Sequence, residues 1–306
     1  MLLVLAAFLA APPPPPPASL ATILSRVAEE ADALQENIPN TVTEETLTQR
    51  AILPPSRFQP RGVPRGTATL RYQVRQIVSE YTVGTLKETG SKDLHEFRQV
   101  VAVDGRQIQS PGTARHALSL GLHSEDDRIR KRMLEDFARY GLVDIATDYG
   151  LILLEFTKRG LSNLTIQAGQ TANIGADLAV ALLWKQKSDA GGETQFTGRR
   201  VIREPLSGVL WVRESDGLPL RIEVWADYTT DRHTTRDWAT VDYVPSSHGF
   251  LTPASVLHRH IIDRQVITEN SYRYQPFKIF SSDADIKFTE VPDQPPTDTP
   301  KPPVKK

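Results

Sequence analysis

Residues 207–228 read SGVLWVRESDGLPLRIEVWADY, and they decide the fold class. Leu218, Leu220, Ile222, Val224, Ala226 and Tyr228 fall on one parity, and Pro219, Arg221, Glu223, Trp225 and Asp227 on the other. A period of two sends one set to a core and the other toward water. Ahead of this run sits Gly208–Arg213, and Ser215-Asp216-Gly217 lies between. Asp-Gly supplies the positive φ values of a tight hairpin turn, so the two runs are expected to pair antiparallel.

The same pattern continues C-terminally. Thr230-Asp231-Arg232 is turn chemistry, followed by a strand from Asp237 to Val244. Pro245–Gly249 is a second turn cluster. Phe250 to Ile262 reads as a long strand bent at Pro253, which has no N–H to donate. Asp263-Arg264-Gln265 turns the chain into Val266–Tyr274, and Phe277–Phe288 closes the series. Strands joined by turns with no helical pattern between them indicate a meander rather than a βαβ sheet.

On the N-terminal side, Gly66–Val83 and Leu94–Val103 read as a hairpin at the first edge of the same sheet, ended by Asp104-Gly105. Leu20–Asn37 has helical three-four spacing through Ile23, Leu24, Val27, Ala31 and Leu34, and Pro39 stops it. Thr41–Ile52 is ambiguous: Thr and Val favour a strand, Glu44-Glu45 a helix. A helix capped by Ser124 carries Ile129, Met133, Leu134, Phe137 and Ala138 on one face, and Gly141 ends it. Leu142–Phe156 is the most apolar part of the chain; Asp144, Asp148 and Gly150 within it argue for burial against protein. It is expected as a helix packed on the sheet, or lining a cavity. Leu164–Gln167, Ala179–Lys185 and Thr194–Thr197 resume strand patterning. The fold class is therefore α+β, an antiparallel meander with covering helices.

The expected organisation has four parts. Residues 1–21 are a signal peptide, since Met1–Ala11 is apolar and followed by small residues. Residues 22–65 are a helix and a Pro-rich linker, 66–290 the β domain with a helical insert near 113–159, and 291–306 a disordered Pro-rich tail. Eleven apolar residues are too few to span a bilayer, and no later run is longer. A periplasmic or secreted location follows.

Composition removes several chemistries. The 306 residues include no Cys, which excludes disulfides, thiolate nucleophiles and thiolate metal sites. A net charge of −1 provides no field for nucleic acid. The chain contains no G-x-S-x-G elbow and no phosphate loop, and no carboxylate pair sits in a recognisable glycosidase setting. The reading is of no enzyme, no catalytic residue, no cofactor and no metal. The strongest opposing signal is His258-Arg259-His260, two imidazoles on one strand face, with His248, Asp242 or Glu269 as a third ligand. Histidines packed or hydrogen-bonded in a core are the commoner outcome. Trp211, Trp225 and Trp238 fall on strands, where packing outweighs a sugar-stacking platform.

Gly208–Arg213, the turn Asp216-Gly217 and Leu218–Ile222 resemble paired strands of LolA-type, outer-membrane lipoprotein-sorting-like proteins. Tyr272–Lys278 and Ile286–Phe288 are similar to their late strands, and the chain from about Asn40 onward resembles exported proteins of soil bacteria. The resemblance implies a curved antiparallel half-barrel with helices closing an apolar cavity for acyl chains. On that basis the expected function is an extracytoplasmic binding or carrier protein for a lipid or lipoprotein acyl chain. Leu151, Leu153, Leu154, Trp211, Leu220, Ile222 and Val224 are the expected cavity lining. Two alternatives stand beside it: an envelope interaction or scaffold module with a filled core, and a metal-dependent hydrolase using His258 and His260.

Overall fold

The computed structural model describes residues 19–53, 70–85, 93–123, 128–187, 193–197, 200–230 and 233–280. The expected leader up to Ala18, the prolines from Pro54 to Pro64, the helix cap at Ser124, Asp231-Arg232 and the tail lie outside these residues.

Helix α1 (Leu20–Asn37) buries Ile23, Val27, Ala31 and Leu34, the stripe its three-four spacing predicts. Ser19 caps it, its Oγ accepting the Thr22 N–H at 3.2 Å. A cut after Ala21 would remove this cap and the first two helical residues. A 3-10 turn at Ile38–Asn40 contains Pro39 and leads into β1 (Thr41–Ile52). The ambiguous segment is thus a strand, and it occupies the middle of the sheet rather than a leader ahead of it. It pairs antiparallel with both β2 (Tyr72–Thr85) and β13 (Gln265–Tyr274).

β2 continues into β3 (Leu94–Val103), and Asp104 and Gly105, at φ 49° and 78°, turn the chain into β4 (Arg106–Gln107). Helices α2 (Pro111–His123) and α3 (Arg128–Arg139) follow. Gly141 at φ 83° ends the second, a conformation glycine adopts without cost. Then come β5 (Leu164–Ile174) and β6 (Asp177–Gln186). The hairpin β7 (Glu193–Thr197) and β8 (Arg200–Glu204) forms a separate two-stranded sheet. The meander proper is β9 (Ser207–Arg213), β10 (Pro219–Thr230), β11 (His233–Pro245), β12 (Leu251–Ile262) and β13, with β14 (Lys278–Ile279) pairing β1.

Among the described residues the main sheet has 12 strands: a path in the order β4-β3-β2-β1-β13-β12-β11-β10-β9-β6-β5, and β14 off it, paired to β1. It is antiparallel at every recorded pairing and does not close, a curved sheet with helices against it. Asp263 and Arg264, at φ 48° and 68°, form a two-residue turn between β12 and β13, and Gln265, expected in that turn, already belongs to β13.

The main core lies between the sheet, α1 and the segment preceding β5. Ile222, Val224, Val241, Leu210 and Val212 face Val27, Leu34, Leu153 and Phe156 within it. Met133 and Phe137 of α3 join the same cluster, whereas Ala114 and Leu118 of α2 are buried outside it.

Two expectations are corrected. Leu142–Phe156 is not an α-helix. It runs irregularly to Asp148 and then as a 3-10 helix over Tyr149–Phe156. Asp144 and Asp148 hold φ values of 46° and 68°, which an α-helix cannot contain. Leu220 leaves the parity of its neighbours. The β9–β10 register shifts between Pro219 and Arg221, so Leu220 is the extra residue of a bulge and is only half-buried.

Candidate functional site: a cleft over the 3-10 segment

The 3-10 segment is held by reciprocal hydrogen bonds to β3. Glu96 N–H donates to Asp148 Oδ1 at 2.8 Å, and Asp148 N–H donates back to Glu96 Oε2 at 2.8 Å. Gly150 N–H adds a bond to Glu96 Oε1 at 2.9 Å. A Cβ on Gly150 would lie 2.6 Å from that oxygen, so the contact requires glycine. On the far side Leu153 N–H donates to Tyr243 Oη at 3.1 Å, and that hydroxyl donates to Gly150 O at 3.0 Å.

Glu96 also belongs to a buried ionic group. Arg98 donates to Glu45 at 2.7 and 2.9 Å and to Glu96 at 2.7 Å, and all three side chains are 1% exposed. Burial pushes the Glu45 carboxyl up despite the guanidinium beside it. Two negative charges around one positive charge in a dry site hold only while the pairing is intact.

Above the anchored segment lies a cleft of about 840 Å³. Leu94, Leu151, Ile152, Leu154 and Leu206 give it apolar walls, and Gln35, Asp93, Asp148, Glu155, Arg159 and Gln186 give it polar ones. Glu155 accepts from Gln186 Nε2 at 2.9 Å; burial raises its carboxyl above the usual range, only partly offset by that bond.

Of the seven residues expected to line a cavity, the cleft gathers Leu151 and Leu154. Leu153, Ile222 and Val224 are 0% exposed and sit in the filled core beneath it. Leu220 stands on its bulge. Trp211 has the parity opposite to buried Leu210 and Val212, and its Nε1–H donates to Glu223 at 3.0 Å. The polar walls were missed. Asp93, Gln186 and the pair Asp148 and Glu155 come from three separate segments, and no local spacing links them.

His258 and His260 do converge, on a partner the sequence did not single out. His258 Nε2 and His260 Nδ1 lie 3.2 and 2.8 Å from Asp237 Oδ1, and Tyr228 Oη donates to Asp237 Oδ2 at 2.8 Å. The tautomer of His258 follows from backbone polarity. Gln49 bonds both Val143 N–H and Val143 O, which fixes which amide atom is oxygen. Gln49 Nε2 then donates to Asn270 Oδ1, leaving Asn270 Nδ2 facing Asp144 O and His258 Nδ1. His258 Nδ1 is therefore an acceptor, and its Nε2–H donates to Asp237. Burial would raise the Asp237 carboxyl, but the two imidazole bonds hold it well below the usual range. Hydrogen bonding accounts for both rings without an ion. Among the described residues no group of three His, Asp or Glu is placed to hold a metal. This network clamps Val143 and Asp144, the approach to the cleft floor.

No helix among the described residues is long and apolar enough to cross a membrane. No protein-family model and no curated protein matches the sequence. Among solved structures the chain is similar to an outer membrane lipoprotein-sorting protein domain from Vibrio parahaemolyticus, at 8% identity and a TM-score of 0.35, over 85% of this chain and 92% of that one. It is also similar to a LolA superfamily protein from Nitrosomonas europaea, at 12% identity and a TM-score of 0.28, over 84% of this chain and 93% of that one. Both are of the type the strand motifs resemble, and at these scores the likeness carries no argument about what this chain binds.

Proposed function

We propose that this protein is an extracytoplasmic, non-enzymatic carrier for an amphiphile with an acyl chain, a lipid or the lipidated end of a lipoprotein. The cleft is the observation behind this reading. Its volume of about 840 Å³ is in the range of small-ligand sites, and five apolar side chains line it beside polar groups able to orient a head group. The acyl chain would lie along Leu94, Leu151, Leu154 and Leu206, with the head group toward Arg159 and Asn163. The apolar set drawn from the central strands lies deeper and supports the floor.

Titration with a fluorescent fatty acid tests the reading. Saturable binding, displaced by long acyl chains, is expected. Leu154→Glu should weaken it while the protein stays folded, because an unpaired charge in an apolar wall is costly. Leu153→Glu, in the filled core, should unfold the protein instead. No saturable binding by the wild type would transfer support to a scaffold module. The fully buried Leu153, Ile222 and Val224, which share one core cluster with Val27 and Leu34 of α1, favour that second reading.

A further inference from the structure

We propose that His95, Arg130 and Asp148 form an acid-operated catch that holds α3 at the rim of the cleft when His95 is neutral and frees it when His95 is protonated. Arg130 is the only one of the three on α3; His95 is on β3, and Asp148 precedes the 3-10 segment. Arg130 Nη1 lies 2.6 Å from His95 Nδ1, and Arg130 Nη2 donates to Asp148 Oδ2 at 2.8 Å and to Thr147 Oγ1 at 3.0 Å. A guanidinium only donates, so His95 Nδ1 must present its lone pair. The neutral ring with its proton on Nε2 is the form that fits.

The same His95 Nδ1 lies 3.1 Å from Asp148 Oδ2. In the neutral ring this sets a lone pair against a carboxylate oxygen, and the guanidinium bridging both makes the arrangement favourable. Protonation reverses the roles. Nδ1–H would then point at a guanidinium N–H with like charge, while Asp148 Oδ2 stands ready to accept it. His95 takes the carboxylate and Arg130 loses two of its three partners at once. Asp148 and Thr147 line the cleft, as does Leu94 next to His95, so the exchange takes place at its wall.

The other charged groups around the catch are committed to partners of their own. Burial would raise the Asp148 carboxyl, but the Arg130 guanidinium and the Glu96 N–H hold it below the usual range, so it stays ionised through mild acid. Glu96 is committed to Arg98 and to two backbone N–H groups. From α2, Arg115 is paired with Glu80. Asp93 and Glu155 face the cleft, and Glu155 is bonded to Gln186. The catch state binds fewer protons than the released state. Its stability is therefore present when His95 is neutral and lost as acid protonates the ring. Met133 and Phe137 remain in the core, so release concerns the N-terminal half of α3 and leaves its anchor.

Amide hydrogen exchange on the full chain, corrected for intrinsic rates, is the test, and it needs no ligand, so it stands or falls apart from the carrier reading. Protection of α3 amides should fall about tenfold or more from about pH 8 to about pH 5, while α1 amides hold theirs. His95→Gln, whose amide oxygen can accept from Arg130 without titrating, should abolish the pH dependence. Arg130→Ala should leave α3 weakly protected at every pH. Imidazole nitrogen NMR on the wild type gives a second readout: His95 should be the Nε2–H tautomer at the upper pH. Protection that does not change with pH, pH dependence that persists in His95→Gln, or a charged His95 at pH 8 would each overturn the proposal.

Discussion

The concave side of this sheet has two halves built on opposite principles. Under α1, β9, β10 and β11 present Leu210, Val212, Ile222, Val224 and Val241, an apolar surface that meets Val27, Leu34 and Leu153 with nothing to satisfy. Across β1, β3, β12 and β13 the buried positions include Glu45, Gln49, Glu96, Arg98, His258 and Asn270 among apolar residues such as Leu47 and Tyr272, and each polar contact has a direction. The apolar half tolerates any cover of the right volume. The polar half dictates one path for residues 142–150, because carbonyls and N–H groups there are matched singly to side chains. The lesson is that the apolar half holds the fold together, while the polar half positions the segment that floors the cleft.

The comparison breaks most visibly at Arg98. Arg98→Ala strands Glu45 and Glu96 in a site from which water is excluded, and should cost about 3–5 kcal/mol in denaturant unfolding at neutral pH. A loss below about 1 kcal/mol would show that the polar half is wetter than its geometry implies.

In the apolar half, Ile222→Ala removes a fully buried side chain and should cost about 2–5 kcal/mol. Its neighbour Glu223, on the outer face with Trp211, should cost about 0.5–1.5 kcal/mol on truncation to Ala, the worth of one hydrogen bond. Equal effects at the two positions would mean the strand's faces are not distinguished.

A third substitution sharpens the boundary between the halves. Asp148→Asn should lower stability at neutral pH by about 1.5–3 kcal/mol, since a charge-assisted contact to Arg130 becomes a neutral one. The folded carboxyl sits below its unfolded value, so its contribution is present above the unfolded pKa and vanishes as pH falls through the folded one. Wild type and variant should thus converge in stability in acid. A gap that stays constant with pH would assign the loss to packing.

Much of this architecture was legible in the residue pattern, and the exceptions have identifiable causes. Of the Asp216-Gly217 turn expected to hold positive φ values, Gly217 does so at 71° and Asp216 does not. Leu220 broke parity because a bulge inserts one residue without altering composition. The helix expected over Leu142–Phe156 failed because apolar content reports burial but not backbone geometry; the positive φ at Asp144 and Asp148 comes from partners on β1, β3 and β13.

By itself the sequence determined the class and the strands of the meander, since a period of two and turn chemistry act between near neighbours. It determined the absence of thiol chemistry and the stripe of α1 in the same way. Only the tertiary structure decided that β1 lies in the middle of the sheet, that Asp237 gathers His258 and His260, and that Leu151 and Leu154 line a cleft while Leu153 does not. Those outcomes depend on pairing between segments from 21 residues apart, Asp237 with His258, to 232, Thr43 with Gln275. Such contacts are set by shape and hydrogen-bond complementarity in the folded chain, and no local period records them.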